Sequence, residues 1–439
     1  MQSPDRQPTL RPIPFCGIVL GMTNSQPTTS RLTQTSFHLL AKPTGAICNL
    51  DCTYCFFLSK DALYPGDRMR MTAETLDAYL KQLLASQPDG PVSIAWQGGE
   101  PTLMGLDFYR QVIELIKRYA RPTQIIEHTM QTNGTLLDDD WAKFLKQNSV
   151  LVGLSIDGPQ AMHDQYRVWK DGRGSFNDVV KAWELLERHH VDTNILCSLS
   201  AANADHPTEV YRFFRDELGA KHIQFIPIVE RSTPVDLKIA EKGWSEKPGR
   251  RRILYTQQGN LVTSRSITGK QYGDFLSAVF DEWLAHDVGE VFIQIFDVTL
   301  GAHVGMYSLC VHAPTCGSAL ALEHNGDMYS CDHFVEPNYK LGNIHETPMI
   351  DLVTSPQQVQ FGRNKQSLLP PMCQECDVLF ACNGGCPKDR FINTPHGEPG
   401  LNYLCEGFQT FFRHVDAPMK RMAELISQGR FADEIMSEG

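Results

Sequence analysis

Cys48-Asn-Leu-Asp-Cys52-Thr-Tyr-Cys55 places three thiols within eight residues at the spacing C-x3-C-x2-C. Three sulfurs that close can take three corners of a cubane iron–sulfur cluster. Such clusters normally take four thiolates, so a three-Cys loop leaves one iron open for another ligand. Disulfides explain the loop poorly, because three thiols cannot all pair with one another. A zinc site would need a fourth ligand nearby, and the next His, Cys and acidic residues are not spaced like one. The loop lies just after a strand-like run, Phe37-His-Leu-Leu-Ala41. That position makes it the first of a series of polar turns.

The series defines the fold. Further strand candidates are Val92–Trp96, Gln124–Thr129, Val150–Ser155, Asn194–Leu199 and His222–Ile228. Helical patterns lie between them. In Thr72–Gln87, Leu76, Tyr79, Leu80, Leu83 and Leu84 recur at helical spacing, with Thr72 as N-cap. Leu106–Tyr119, Asp138–Gln147, Phe176–His189 and Thr208–Leu218 read the same way. Repeated βα units with right-handed crossovers predict a parallel α/β sheet curling into a partial (β/α)6 TIM-like barrel, short of the eight units of a closed one. Gln97-Gly-Gly-Glu-Pro101, Gln131-Thr-Asn-Gly134 and Ser155-Ile-Asp-Gly158 follow successive strands. All fall at carboxyl ends, the face where parallel α/β folds build active sites. One Gly-rich turn is usually only a turn; three on the face of a triple-Cys loop mark a site.

Composition narrows the classes. With 439 residues, 42% of them hydrophobic, the chain can bury one large core or two moderate ones. A formal net charge of -11 argues against general affinity for nucleic acid or anionic membrane. No apolar run approaches a membrane span, and Phe15–Met22 is short for a signal core, without a clear cleavage site. Thirteen cysteines clustered at short spacings read as metal ligands in a reducing compartment, so the chain is expected in the cytoplasm. Residues 1–33 are rich in Pro, Ser, Thr and Gln and read as a loosely ordered extension. The rhythm breaks again near 232–266, where Lys242–Arg252 reads as a polar, basic, inserted loop; a solvated surface is the expectation, with a substrate-facing role as the alternative. Phe275–His286 resumes as a helix and Val291–Phe296 as a strand.

Beyond Leu309 the chain is loop-rich and cysteine-dense: Cys310, Cys316, Cys331, Cys373, Cys376, Cys382, Cys386 and Cys405. Eight thiolates suffice for two fully ligated [4Fe–4S] clusters; a pair of structural zinc sites is the alternative. Cys16 and Cys197 are left over as small buried or incidental residues.

From about Ser36 to about Phe412 the chain resembles the anaerobic sulfatase-maturating enzymes, which are radical S-adenosylmethionine (SAM) proteins with a C-terminal SPASM domain. The resemblance rests on Cys-Asn-Leu-x-Cys-Thr-Tyr-Cys, Gln-Gly-Gly-Glu-Pro-Thr-Leu, Gln-Thr-Asn-Gly, Ser-Ile-Asp-Gly-Pro, His163-Asp-x-x-Arg167 and the eight-Cys pattern. It implies a partial barrel over 34–272, a SPASM domain over 273–412 with two auxiliary clusters, and a helical tail over 413–439. It assigns Cys48, Cys52 and Cys55 to a cluster that holds SAM, and it divides the other thiols. Cys310, Cys316, Cys331 and Cys386 hold the nearer auxiliary cluster, and Cys373, Cys376, Cys382 and Cys405 the farther one. Tyr54, Gly99, Ser155, Arg167 and Ile228 match SAM-contacting positions: Gly99 for the amino group, Ser155 and Arg167 for the carboxylate, Tyr54 and Ile228 beside the adenosine. Read alone, Arg167 is a helix-end salt bridge near His163 and Asp164. Asp332 matches the family's proton acceptor; read alone it is a turn carboxylate.

The implied activity is oxidation of a Cys or Ser side chain in an unfolded sulfatase to Cα-formylglycine, with three [4Fe–4S] clusters, SAM and a reductase or flavodoxin-type electron donor. Two other readings stand beside it. One is a SPASM enzyme that crosslinks a precursor peptide, although the first thirty or so residues are too short and polar for the extra recognition domain such enzymes often carry. The other is a non-catalytic iron–sulfur or zinc scaffold, for which a SAM site would have no use. The N-terminal extension and the insert around Pro234–Arg252 depart from the family pattern and leave substrate choice open.

Overall fold

The computed structural model describes residues 36–245 and 253–438. The expected N-terminal extension, Cys16 and residues 246–252 of the basic run lie outside them. Six parallel strands alternate with helices: β1 (His38–Lys42), β2 (Gly90–Trp96), β3 (Gln124–Thr132), β4 (Val150–Ser155), β5 (Thr193–Leu199) and β6 (His222–Pro227). Each pairs with the next in sequence, which short right-handed crossovers enforce. The helices between them are α1 (Ala73–Ser86), α2 (Leu106–Tyr119), α3 (Asp139–Gln147) and α4 (Phe176–Arg188). Thr72 caps α1 by accepting from Thr75 N, and Asp138 caps α3 by accepting from Trp141 N. The five apolar residues that defined the α1 stripe are all fully buried. Leu76, Tyr79, Leu80 and Leu83 share a core with Trp96, whose ring meets Tyr79 and Tyr109 edge-on at 5.7 and 5.6 Å.

The later half of the chain extends this same sheet at both ends. Strand β7 (Phe292–Ile293) adds parallel to β6. Strand β8 (Ala319–Glu323) adds parallel to β1, followed antiparallel by β9 (Asp327–Tyr329) and β10 (Lys340–Asn343). The result is one ten-stranded sheet, ordered β10-β9-β8-β1-β2-β3-β4-β5-β6-β7. Both large hydrophobic cores mix residues from the two halves: Leu154 and Phe225 pack with Phe408 and Phe411, while Leu39 and Trp96 pack with Leu320 and Met349. Divisions of the chain at 272 and 412 pass through continuous helices, Gly269–His286 and Cys405–Ser427, which cross each other.

One expected element is corrected. Val291–Phe296 is a strand only over Phe292–Ile293, and Gln294 already opens the helix Gln294–His303. A six-residue apolar run fits a buried strand or a buried helix equally by pattern. Among the described residues no helix is long and apolar enough to cross a membrane.

Candidate active site

The cysteine loop leaves the carboxyl end of β1 and is held by backbone on two sides. Asp51 N donates to Val168 O and Thr53 N to Tyr166 O, at 2.8 and 2.9 Å. Opposite, Gly99 N donates to Gly45 O and Glu100 N to Ile47 O, at 2.8 and 2.9 Å. The turn after β2 therefore touches the loop backbone directly. A Cβ on Gly99 would lie 2.0 Å from Ile47 O, and no side-chain rotation relieves a clash with backbone. Gly99→Ala is expected to cost about 3 kcal/mol or more by displacing the loop. Iron per chain, measured after anaerobic reconstitution, should fall with it.

Two buried carboxylates organise the strand ends. Glu100 accepts from Thr102 N, Thr102 Oγ1, Thr132 Oγ1 and Asn133 N at 2.6–3.0 Å, tying the turns after β2 and β3 together. Burial pushes its carboxyl above the usual range, while those four donors oppose the shift. Asn133 in turn donates to Asn49 Oδ1 beside Cys48. Asp157 is the second hub: it accepts from Tyr54 OH at 2.6 Å, Arg167 Nε at 2.8 Å and Ser198 N at 2.9 Å. The partner of Arg167 is thus Asp157. Asp164 caps the start of α4 through Phe176 N, and His163 accepts from Asp157 N. Arg167 Nη2 reaches Ser198 Oγ at 3.3 Å, so part of its fork is already engaged.

Leu50, Cys52 and Tyr54 form one apolar cluster with Cys48, Cys55, Tyr166, Trp169 and Ile228. Tyr54, Arg167 and Ile228 are thereby brought to the cysteine loop. Ser155 is buried at the end of β4, and Gly99 meets the loop backbone from its other side. Glu100 and Asp157 were missed as site residues. Both stood in the polar turns already quoted, one residue beyond a glycine and one before.

All twelve described cysteines are free. Their charges sort into two sets in the later half. Cys331 feels Cys386 and Cys310, Cys386 feels Cys310, and Cys316 feels Cys310. Cys382 and Cys405 feel Cys373 and Cys376. The second set lines one cavity with Met372, Leu379 and Gln409. Cys197 belongs to neither set and is buried in β5. Burial pushes Cys52, Cys382 and Cys386 up to about 12. Thiols in such surroundings stay protonated unless a metal takes up the thiolate charge, which iron does. Arg390 is within electrostatic reach of both sets, a cation between them that sequence spacing could not place. Among the described residues no three His, Cys, Asp or Glu are drawn tightly enough to hold a single ion.

Asp332 follows Cys331 and meets Lys42 at the end of β1, with Nζ 2.5 Å from Oδ1. The insert reaches the same place. Lys60 donates to Tyr255 O at 2.7 Å, Gln257 N donates to Glu336 Oε1 at 2.6 Å, and Gln257 Nε2 to His333 O at 3.0 Å. Trp244 and Tyr255 are buried and pack with Phe56 beside the cysteine loop. Within the described part of the basic run Trp244 is therefore buried and not solvated, while Tyr255 and Gln257, just beyond the run, bridge the cysteine loop and the Asp332 turn.

The chain matches the family described as Radical SAM superfamily over residues 43–214 and the family described as SPASM, an iron-sulfur cluster-binding domain, over 310–377. A serine-type anaerobic sulfatase-maturating enzyme of Bacteroides thetaiotaomicron is 43% identical over 395 residues, covering 89% of this chain and 92% of that one. A cysteine-type enzyme of Clostridium perfringens is 33% identical over 381 residues, covering 86% and 95%. A solved structure described as native anSMEcpe with bound AdoMet and Cp18Cys peptide superposes with a TM-score of 0.74 at 32% identity, covering 88% and 99%.

Proposed function

The chain belongs to the anaerobic sulfatase-maturating enzymes, and from that membership we propose that it oxidises a Cys or Ser side chain of an unfolded sulfatase segment to Cα-formylglycine. The observation that carries the reading is the meeting of a three-thiol loop, the Asp157–Arg167–Tyr54 hub and Asp332 at one face of the sheet. The chain binds SAM and iron–sulfur clusters. We assign Cys48, Cys52 and Cys55 to the SAM-binding cluster, and the two later thiol sets to two auxiliary clusters. Bound there, SAM and the clusters would supply hydrogen-atom abstraction at the substrate Cβ and acceptance of one electron.

Protein groups do the rest. Asp332 takes the proton as the S–H or O–H bond breaks, leaving a carbon–heteroatom double bond at the substrate. A Ser substrate then gives the aldehyde directly; a Cys substrate gives a thioaldehyde that water hydrolyses. Arg167, Ser155 and the backbone of Gly99 hold the amino acid end of SAM, and Tyr54 and Ile228 flank its adenosine. The segment Tyr255–Gln257 walls the Asp332 turn. A flavodoxin-type reductase as electron donor and a cytoplasmic location complete the proposal, as does a cofactor domain over 34–272 ahead of a cluster domain over 273–412.

Two expected results follow directly. Anaerobically purified protein should carry about three clusters, or roughly twelve irons per chain; zinc in the later sites would end the electron-transfer scheme. The Asp157 pairing decides how Arg167 must be tested. Arg167→Ala would strand a buried carboxylate, at a cost of about 3–5 kcal/mol, which outweighs the SAM contact itself. Arg167→Lys keeps the charge and removes the fork. It should weaken SAM binding by about 2 kcal/mol, some thirtyfold, with iron content unchanged. Equal SAM affinity in titrations of the two proteins would return Arg167 to a purely structural ion pair. The function itself is tested by conversion of a Cys or Ser peptide to an aldehyde with reduced enzyme and SAM.

A further inference from the structure

Lys42 is fully buried, yet it carries a charged group at the carboxyl end of β1. Its backbone is fixed in the middle of the sheet, paired in register with Glu323 of β8. Its stem lies against the turn after β2: a Cβ on Gly98 would come within 3.0 Å of Lys42 Cβ and 3.1 Å of its Cγ. Gly98 holds φ at +120°, a conformation that favours glycine. The ammonium stands 3.7 Å from the centroid of the Phe57 ring and 2.5 Å from Asp332 Oδ1. The contact with Asp332 is Coulombic and is not aligned as a hydrogen bond, and neither Lys42 Nζ nor Asp332 Oδ1 has another hydrogen-bond partner among the described residues. Asp332 keeps 16% of its side chain exposed, while Lys42 has none. Oδ1 is sealed in, so the exposure belongs to the rest of the side chain.

We propose that Lys42 is a positioning residue: its rigidly held ammonium fixes one oxygen of Asp332 so that the other is presented to the substrate's hydroxyl or thiol. Isolated buried charges are strongly disfavoured, and among the described residues no other carboxylate lies within ion-pair distance of this ammonium. The three surfaces that hold it come from β1, from Phe57 just after the cysteine loop, and from the glycine turn. Phe57 follows the cysteine loop and Gly98 precedes Gly99, so Asp332 is tied through Lys42 to elements that also carry residues assigned to SAM. The inference rests on the reading of Asp332 as proton acceptor. It adds no bond-making step to the one already written, in which the proton passes from substrate to Asp332.

The test is a double-mutant cycle in the full-length, cluster-loaded enzyme, with Lys42→Met, Lys42→Arg, Asp332→Asn and the double variant Lys42→Met with Asp332→Asn. Formylglycine and 5′-deoxyadenosine are measured in one reaction, with iron content and peptide KM recorded for each protein. Lys42→Met should lower kcat for formylglycine by about 10–100-fold, the range seen when an orienting group behind a reactive one is removed. Peptide KM should change little, and formylglycine per deoxyadenosine should fall. Lys42→Arg should recover part of the loss. In the Asp332→Asn background, Lys42→Met should cost nothing further, because its effect passes through that carboxylate. Losses that multiply, or a parallel fall of both products, would overturn the inference and make Lys42 a structural residue. An unimpaired Lys42→Met beside an impaired Asp332→Asn would overturn it while leaving the proton acceptor in place. An unimpaired Asp332→Asn would remove the proton acceptor itself, and this inference with it.

Discussion

Replacing Cys48, Cys52 and Cys55 together by Ala abolishes SAM cleavage and removes about a third of the iron. The three thiols lie in one loop whose backbone is gripped from both sides, by the Tyr166 and Val168 carbonyls and by the Gly99 and Glu100 amides. Ala leaves that backbone grip untouched, so the loop stays while its ligands go. The two later thiol sets share no side chain with it and keep their clusters. Iron and sulfide analysis with deoxyadenosine chromatography reads the result. Retained SAM cleavage would mean that the loop is not the SAM-binding site, and complete loss of iron would mean that the clusters do not load independently.

Asp332→Asn is the second large effect. A thiol with a pKa of about 8.5, or a hydroxyl far above it, does not ionise to a useful fraction at neutral pH unaided. General-base assistance contributes about 10²–10⁴-fold when the base is within reach. Asn keeps the shape of the side chain and removes its basicity. Formylglycine output should fall by that factor while the variant still binds its clusters and cleaves SAM. The ion pair with Lys42 means the substitution also leaves a buried ammonium facing a neutral amide, so iron content is measured alongside. Equal loss of both products would assign Asp332 to the fold; undiminished formylglycine would mean that the proton leaves by another route.

The six strands β1–β6 and helices α1–α4 were legible because each is a local pattern: apolar runs of strand length, stripes at helical spacing, and caps at Thr72 and Asp138. The polar turns were legible because each follows a strand. Strand β8 was not, since Ala319–Glu323 is five residues whose partner, β1, lies about 280 residues earlier. The Lys42–Asp332 and Arg167–Asp157 pairs were hidden for the same reason: a charge on a sequence carries no mark of its partner. Spacing could not group Cys386 with Cys310, Cys316 and Cys331; the proposed grouping comes from the family resemblance, and in the fold Cys386 feels the charge of Cys310 and is felt by Cys331. The insert was misread at its ends because its basic residues dominate the composition, whereas Trp244 and Tyr255 decide where it sits.

The most direct test of the central claim uses reduced, cluster-loaded enzyme with SAM and peptides containing Cys-x-Pro-x-Arg or Ser-x-Pro-x-Arg. Peptide mass is followed by spectrometry, deoxyadenosine by chromatography, and carbonyl formation by hydrazide trapping. The trapping matters, because a crosslink and a Ser-derived aldehyde both remove two hydrogens and have the same mass. The account predicts a hydrazide-reactive product at the target residue of at least one peptide, formed with deoxyadenosine and absent when that residue is Ala. Loss of the two hydrogens without a reactive carbonyl, or deoxyadenosine with neither peptide changed, would contradict it.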